Sequence, residues 1–517
     1  MIIKNDHLKW ILSTFKNMFN SLSHRFNVLF KINITKFFLD YLKFKKFLRK
    51  QKIERYVGDV ENSKICITAI PWMGSAVPWY AISVALLLYK SGKNVFILFD
   101  DMPFGKDHLF YKVQSNLIFK VLTKLPIKLV KLSDYENTSY PIDDVKHLSK
   151  LNSLHFSHGE TNHALRQSYE RIIEEQLSST YSKLANLYEI EDFTQIILPG
   201  GMWGPSGVFT LLAQKYNIQL TTYDGDDSTI FMSIFGVAAQ LKDIPYSFDK
   251  LLNDSKEKKF AVMKGHEQLQ KRRQGKEIFA YFPNPSSLSE FKNDYFLMLL
   301  NSVWDTAALG LHTVYDSMID WIFDSIEWVL KNTHKTILIR QHPAERDKYL
   351  DNTDSYEKRI RDQFGCNERI LFIHADQNVN TYDLIENASC ILGFSSTVIV
   401  ESVVLGKPAI IVSDTYYANL DIVYSAKNKK EYYEYLEKAS NNQLDITEEM
   451  RERACISNYI TQSCNRYNTK FTPTRNSFLK WSKLTLEELE KDYLPLQAIL
   501  KNIPLSTLQH ERCLNDK

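Results

Sequence analysis

Two doubly wound α/β domains facing a cleft, with helical extensions at both ends, are the architecture the sequence predicts. Three observations lead there. The chain has 517 residues, 44% of them hydrophobic and 13% aromatic, which is apolar surface enough to offset chain entropy across roughly two to four domains. Units of strand, glycine- or proline-bearing loop, helix and strand recur on both sides of residue 275, the signature of parallel sheets. The 17 glycines and 15 prolines exclude low-complexity character, and 64 basic against 61 acidic residues leave a net charge of only +3. That balance supplies no global field for nucleic acid.

Residues 1–58 read as a basic, amphipathic helical extension. Positions 1–56 hold thirteen Lys and Arg against Asp6, Asp40 and Glu54, a local excess of +10 that leaves −7 for the rest. Within Phe37–Lys50 cations alternate with apolar residues, a pattern suited to a helix lying on an anionic membrane surface. A helix packed on the body with its lysines solvated is the alternative. The start shows no small-residue cleavage site after an apolar core, so a signal peptide is not expected.

Residues 59–274 read as a first, acceptor-side Rossmann-like domain. The 25 uncharged residues between Lys64 and Lys90 are long enough to span a bilayer. Pro71, Gly74 and Pro78 instead divide them into strand 65–70, loop 71–77 and a helix from Pro78. Strand 94–99 completes the unit. A long helix over 160–190, strand 195–198, the loop Pro199–Gly207, a helix to Tyr216 and strand 219–223 repeat it. Residues 275–440 form the second domain, with strands at 278–282, 295–300, 336–340, 370–373, 390–393 and 409–412 and helices at 317–331, 381–387 and 397–405. The tail, 441–517, reads as helical. Six scattered cysteines without a CxxC pair fit reduced thiols in the cytoplasm.

Ligands of open parallel sheets bind beyond the carboxyl ends of the strands. The most informative such position is Gly393-Phe394-Ser395-Ser396-Thr397, a strand breaking into hydroxyl residues directly before a helix. Backbone N–H groups and the hydroxyls of Ser395, Ser396 and Thr397 suit an anion there. Glu401, a turn later, suits ribose hydroxyls, and Gly406-Lys407-Pro408 turns into the next strand. An ordinary serine cap with a surface glutamate is the bland alternative.

This segment resembles the nucleotide-binding element of GT-B glycosyltransferases and of the related non-hydrolysing UDP-GlcNAc 2-epimerases. The resemblance implies that Ser395, Ser396 and Thr397 hold phosphate and Glu401 the ribose. Together with Arg340-Gln341-His342-Pro343-Ala344-Glu345, Asn301–Asp305 and Thr381–Glu386, it is similar to the capsule polysaccharide biosynthesis proteins. That group includes transferases for the acidic sugar Kdo. The likeness covers 275–425 well and Leu198–Ser206 more weakly. It implies a GT-B fold and a nucleotide-sugar site containing Arg340, Pro343, Glu345, Thr381 and Tyr382. His342 would donate to a donor phosphate or to the leaving nucleotide, and Asp305 would be base or nucleophile. A structural histidine and plain helix caps at Thr381, Tyr382 and Asp305 are the competing readings.

In the first domain, Trp72, Gly74, Ser75, Gly200, Gly201, Trp203 and Asp224 are candidate walls of an acceptor or sugar cleft. Their small residues permit close approach, and the tryptophans, with Trp79, offer faces for sugars. Core tryptophans are the commoner case. Tyr223-Asp224-Gly225-Asp226-Asp227 resembles a metal-binding Asp-x-Asp but reads as a turn, and the histidines at 155, 158 and 163 read as loop residues. Neither a metal nor a cofactor is expected; the nucleotide sugar is substrate, with uridine and cytidine donors both open.

The reading is a metal-independent glycosyltransferase moving a sugar from a nucleotide-sugar donor to a capsule or surface polysaccharide acceptor. That acceptor could be lipid-linked, and the basic helix would hold the protein at the inner face of the cell membrane. The rivals are a nucleotide-sugar 2-epimerase, against which Pro71-Trp72-Met73-Gly74-Ser75 counts, and a non-catalytic assembly factor that binds nucleotide or sugar.

Overall fold

The computed structural model describes residues 34–51, 53, 63–72, 76–102, 104, 108–157, 159, 163–276, 294–302, 309–346 and 355–515. The expected strand 278–282 lies outside them.

The strands are continuous apolar runs rather than alternating ones, as strands covered on both faces must be. In chain order the first six are β1 (Lys64–Ala69), β2 (Asn94–Phe99), β3 (Lys128–Lys131), β4 (Gln195–Pro199), β5 (Gln219–Gly225) and β6 (Thr229–Ser233). The next six are β7 (Tyr295–Leu299), β8 (Ile337–Arg340), β9 (Ile370–Ile373), β10 (Ala388–Gly393), β11 (Ala409–Ile411) and β12 (Tyr424–Ser425), and β13 (Tyr467–Asn468) follows in the tail. The first sheet has the order β13-β6-β5-β4-β1-β2-β3 and the second β12-β11-β10-β7-β8-β9. All pairs from β5 through β3 and throughout the second sheet are parallel; the pairs β5–β6 and β6–β13 are antiparallel, so β6 alone among the described strands runs against the rest.

Both sheets therefore start in the middle and wind outward in two directions. Their order reverses between β1 and β4 in the first and between β7 and β10 in the second. At such a switch point the loops on either side diverge and leave a crevice.

The helix over 34–50 does not offer its rings to solvent. Phe37, Phe44 and Phe47 are buried in the first core. Phe44 stacks on Trp79 at 4.8 Å between ring centroids and Phe37 on the same ring at 5.4 Å. Asp40 is buried on that face and accepts two hydrogen bonds from Arg475 of the tail, at 2.6 and 3.1 Å. The packed-helix alternative describes this face, and the spacing of Phe37, Tyr41, Phe44 and Phe47 explains it: they share one side of a 3.6-residue helix. Trp79, wholly buried, is core and not a sugar platform. The uncharged run between Lys64 and Lys90 resolves into β1, a loop and helix Val77–Lys90. Among the described residues no helix is long and apolar enough to cross a membrane.

Packing does not follow the boundaries expected at 274 and 441. Helices Ile244–Leu252 and Ser255–Arg273 put Phe248, Leu251, Phe260 and Leu269 into one core with Leu297, Ile385 and Val403 of the second sheet's layer. The tail then returns: Phe471, Phe478, Trp481 and Leu496 join the core of the first sheet. Helix Ser255–Arg273 lies tightly on Glu448–Tyr459, where a Cβ on Gly265 would stand 2.1 Å from the carbonyl oxygen of Cys455. Glycine is what allows that approach. Helix Ser255–Arg273 is highly charged and weakly periodic, so its pattern does not announce which core it joins; the pattern of Ile244–Leu252 marks an apolar face but not its partner.

Candidate functional site

The switch point of the second sheet holds a cavity of about 300 Å³. Asn301 follows β7 and Ser395 follows β10, and the Asn301 side-chain oxygen accepts a hydrogen bond from the Ser395 N–H at 3.2 Å, tying the two diverging loops. Gly393 at the end of β10 is required by packing: a Cβ there would lie 2.3 Å from Ile399 Cδ1. The seven-residue helix Val398–Val404 folds back over the strand for that reason.

Of the residues expected at the nucleotide site, Arg340, His342, Pro343, Thr381, Tyr382, Ser396, Thr397 and Glu401 line this one cavity. Ser395 sits behind the lining, buried. Glu345 is also buried and accepts from Gln341 Nε2 at 2.7 Å, so its carboxylate braces the turn instead of facing the cavity. Asp305, Gly74 and Ser75 lie outside the described residues.

Glu401 is fully buried, and a cation and a phenol hydroxyl meet it. Arg272 Nη1 approaches Oε1 at 3.1 Å and the Tyr382 hydroxyl donates to Oε2 at 2.8 Å. Burial, then the neighbouring Glu401, pushes the Tyr382 phenol well above its usual range, so it stays a donor. Arg272 lies in the last turn of helix Ser255–Arg273, at the end of the expected first domain and outside the expected site; the cue was its place near a helix C-terminus, where cations collect. The neighbouring Arg273 pairs with Glu386 at 2.6 Å, and fastens the same helix to Thr381–Asn387.

Asn380, not Thr381 or Tyr382, caps Thr381–Asn387, accepting from the Tyr382 N–H at 2.9 Å. Thr381 is thereby left on the cavity wall, and Tyr382 is spent on Glu401. Thr397 precedes Val398–Val404 without a side-chain cap bond.

His342 accepts from the Ala344 N–H through Nδ1 at 3.3 Å, which leaves Nε2 as the protonated nitrogen of the neutral ring. Burial, reinforced by Arg340 and Arg272, lowers its pKa to about 4. Arg340 is also buried, its pKa lowered to about 10 by that burial, and its guanidinium donates to the carbonyls of His374, Gln377 and Val379. It stiffens the loop after β9 and sets positive charge beside the cavity.

Residues from outside the expected set complete the walls. Phe231 and Leu241 reach over from the first domain, and Thr461, Gln462, Asn465 and Arg466 come from the tail. Residues 460–464 form a π-helical turn, an irregularity that concentrates at functional sites. Arg466 lies over the Phe231 ring at 5.3 Å. Sequence reasoning missed these because a helical tail carries no motif, although the π turn itself is invisible to periodicity.

The first-domain candidates divide. Trp72 and Trp203 line a second cavity; Gly200 and Gly201, with φ of +66° and +93°, are not on its lining, Gly200 lying behind Trp72 and Gly201 against Thr222 and Thr210. Asp224 is not on either cavity: it stands in the β5–β6 hairpin, opposite Phe231. The next acid, Asp226, accepts from the N–H groups of Ser228 and Thr229, closing the turn. Among the described residues no group of three His, Cys, Asp or Glu is placed to hold a metal ion.

No family model matches the chain, and no curated protein matches it. Solved structures do show a distant likeness. KpsC from Thermosulfurimonas dismutans, a β-Kdo 2,4 transferase, is 12% identical over 51% of this chain and 79% of its own, with a TM-score of 0.32. The UDP-GlcNAc 2-epimerase of Methanocaldococcus jannaschii, solved with UDP-GlcNAc and UDP, is 12% identical over 76% of this chain and 97% of its own, at a TM-score of 0.24. The Neisseria meningitidis UDP-GlcNAc 2-epimerase bound to UDP-GlcNAc is 13% identical over 83% of this chain and all of its own, at 0.25. Values this low assign this chain no activity. Strand order and cleft define the fold by themselves: two doubly wound α/β domains with a cavity between them, the GT-B arrangement.

Proposed function

We propose that the protein is a glycosyltransferase that uses a nucleotide-sugar donor. The observation that carries this reading is electrostatic: Arg272, Arg340 and Arg466 line the switch-point cavity, where Glu401 is the one carboxylate among the described residues. A wall that gathers three guanidinium groups sets up a positive potential that favours an anionic ligand. A nucleoside diphosphate supplies the anion, and Thr381, Ser396 and Thr397 supply hydroxyls for its oxygens. Glu401, oriented by Arg272 and Tyr382, is the acceptor for ribose hydroxyls.

In this account His342 works as a fixed neutral donor. The ring stays neutral, with its proton on Nε2, at any pH above about 4, and it would stabilise charge as it develops on the departing nucleotide. Asp305 remains the proposed base or nucleophile. Transfer is favoured over epimerisation because a second cavity opens at the other switch point, room that a reaction on one nucleotide sugar does not need. The proposed acceptor is a capsule or surface glycan.

The outward side of helix 34–50 presents Phe38, Leu39 and Leu42, each more than 40% exposed, among Lys36, Lys43, Lys46 and Arg49. We propose that this side rests on an anionic membrane surface. Deleting the segment would strip Phe37 and Phe44 from the core, so the clean test is L39S/L42S/K46E. It should leave the melting temperature within a few degrees and abolish co-sedimentation with phosphatidylglycerol vesicles; unchanged sedimentation refutes the contact.

The function is tested by incubating the protein with UDP- and CMP-sugars and a panel of glycan acceptors. Acceptor-dependent release of free nucleotide is expected. Conversion of UDP-GlcNAc to its 2-epimer without acceptor would establish the epimerase instead, and nucleotide binding without turnover would favour an assembly factor.

A further inference from the structure

The switch point of the first sheet carries a cavity of a different chemical kind. It occupies about 440 Å³ between the loop after β1, which supplies Trp72, and the loop after β4, which supplies Trp203. Phe104 and Phe110 add further wall. Among the described residues, no Asp, Glu, Lys or Arg lines it, whereas four line the cavity of the second sheet. The polar groups it does contain are few and partly committed. The Tyr111 hydroxyl donates to the Asp100 carbonyl oxygen at 3.1 Å, and His155 stacks flat on Trp203 at 4.1 Å.

A sugar would bring hydroxyls that such a wall leaves without partners, at a cost for each. A hydrocarbon chain brings none. The volume is roughly three times that of an apolar cavity that stays dry and takes benzene. Phe156 and Ile172, both on the lining and both 36% exposed, mark where the cavity meets the surface. Inside, the Gln114 side-chain nitrogen is buried without a hydrogen-bond partner and marks a polar point of the wall; Tyr169 and Gln176 supply others.

Two contacts connect this cavity with the rest of the molecule. Phe110 meets Phe37 edge-on at 6.5 Å, so its wall continues into the helix whose other side exposes Phe38, Leu39 and Leu42. Helix Ile142–Ser157 carries His155 and Phe156 at the cavity and, a turn earlier, Leu151, whose side chain lies against Gly310 of the second domain. The cavity thus stands between the exposed apolar helix and the cleft.

We infer that this cavity binds one hydrocarbon chain of an amphiphile. Its role rests on the transferase reading: the chain is the lipid part of the acceptor, anchored at the first switch point while its head reaches the donor at the second. The binding itself does not depend on that reading.

The test is calorimetry of the full chain with hexanol, octanol and decanol, alongside nucleotide binding measured on the same samples. Affinity should rise roughly fourfold per added CH₂. It should fall at least tenfold in Ile172→Trp, which fills the mouth, and in Phe156→Asp, which sets a charge on its exposed rim. Absence of binding, or binding indifferent to chain length or to both substitutions, overturns the proposal. Nucleotide binding without alcohol binding sinks the cavity inference and spares the transferase reading. Alcohol binding without nucleotide binding upholds the cavity as a chain site and removes its acceptor role.

Discussion

Arg272 and Glu401 meet at 3.1 Å across the layer between helix Ser255–Arg273 and the second sheet, with the Glu401 side chain 1% exposed and that of Arg272 17% exposed. One residue closes a helix that the sequence assigns to the first domain; the other sits on the nucleotide wall. Removing one partner leaves a buried charge without compensation, which costs about 3–5 kcal/mol. Arg272→Met should therefore lower stability by about that much in chemical denaturation, and the double variant R272M/E401Q should recover part of the loss. Strict additivity of the two substitutions would show that the pair is not coupled.

His342 gives the account a pH dependence. Its folded pKa, about 4, is depressed below the ordinary histidine value of 6.5. The depressed group contributes stability that is present above pH 6.5 and lost as pH falls toward 4. The imidazole stays neutral across the physiological range, so the nucleotide-release rate should be free of a histidine titration between pH 6 and 8. His342→Ala should lower that rate by about a hundredfold, the usual scale for a lost charge-stabilising donor. A rate that tracks a pKa near 6.5 would contradict a buried neutral donor.

Asp100 at the end of β2 supplies the opposite sign. Burial, opposed by the Met102 N–H and reinforced by Asp101, raises its carboxyl to about 7. Stability from this group is complete below about pH 4 and is lost as pH rises through 7. Asp100→Asn should raise the melting temperature at pH 8 more than at pH 5. Equal shifts at both would indicate that the carboxyl is not proton-linked to folding.

Phe44 tests whether helix 34–50 is part of the body. The ring is fully buried between Trp79, Phe47 and Phe478. Phe44→Ala should cost about 3–5 kcal/mol, the range for a large ring removed from a core. A loss below about 1 kcal/mol would mean that the helix is an independent appendage.

Much of this was legible in the chain. Apolar runs such as Asn94–Phe99 and Tyr295–Leu299 have one use, as strands covered on both faces, and each is followed by a loop and helix. The lining of the second-sheet cavity was legible wherever a motif followed a strand, as at Arg340–Pro343 and Ser396–Glu401. Arg272 and Arg466 were not, because they reach the site from distant helices and turns that only tertiary packing selects. Glu345 and Asp224 show the reverse failure: a polar residue beside a motif can be consumed by the turn that presents it.

The central claim is that the Arg272–His342–Glu401 cavity binds a nucleotide, and the most direct measurement is thermal stabilisation by UDP, CMP, UMP and GDP. A ligand confined to the folded state adds about 2.7 kcal/mol at a hundred times its dissociation constant. A clear rise is expected with at least one of the four, strongly reduced in His342→Ala and Thr381→Ala. CMP alone would point to an acidic-sugar donor and UDP to a hexose or hexosamine donor. No rise with any of them, or a rise that both substitutions leave intact, would contradict the account.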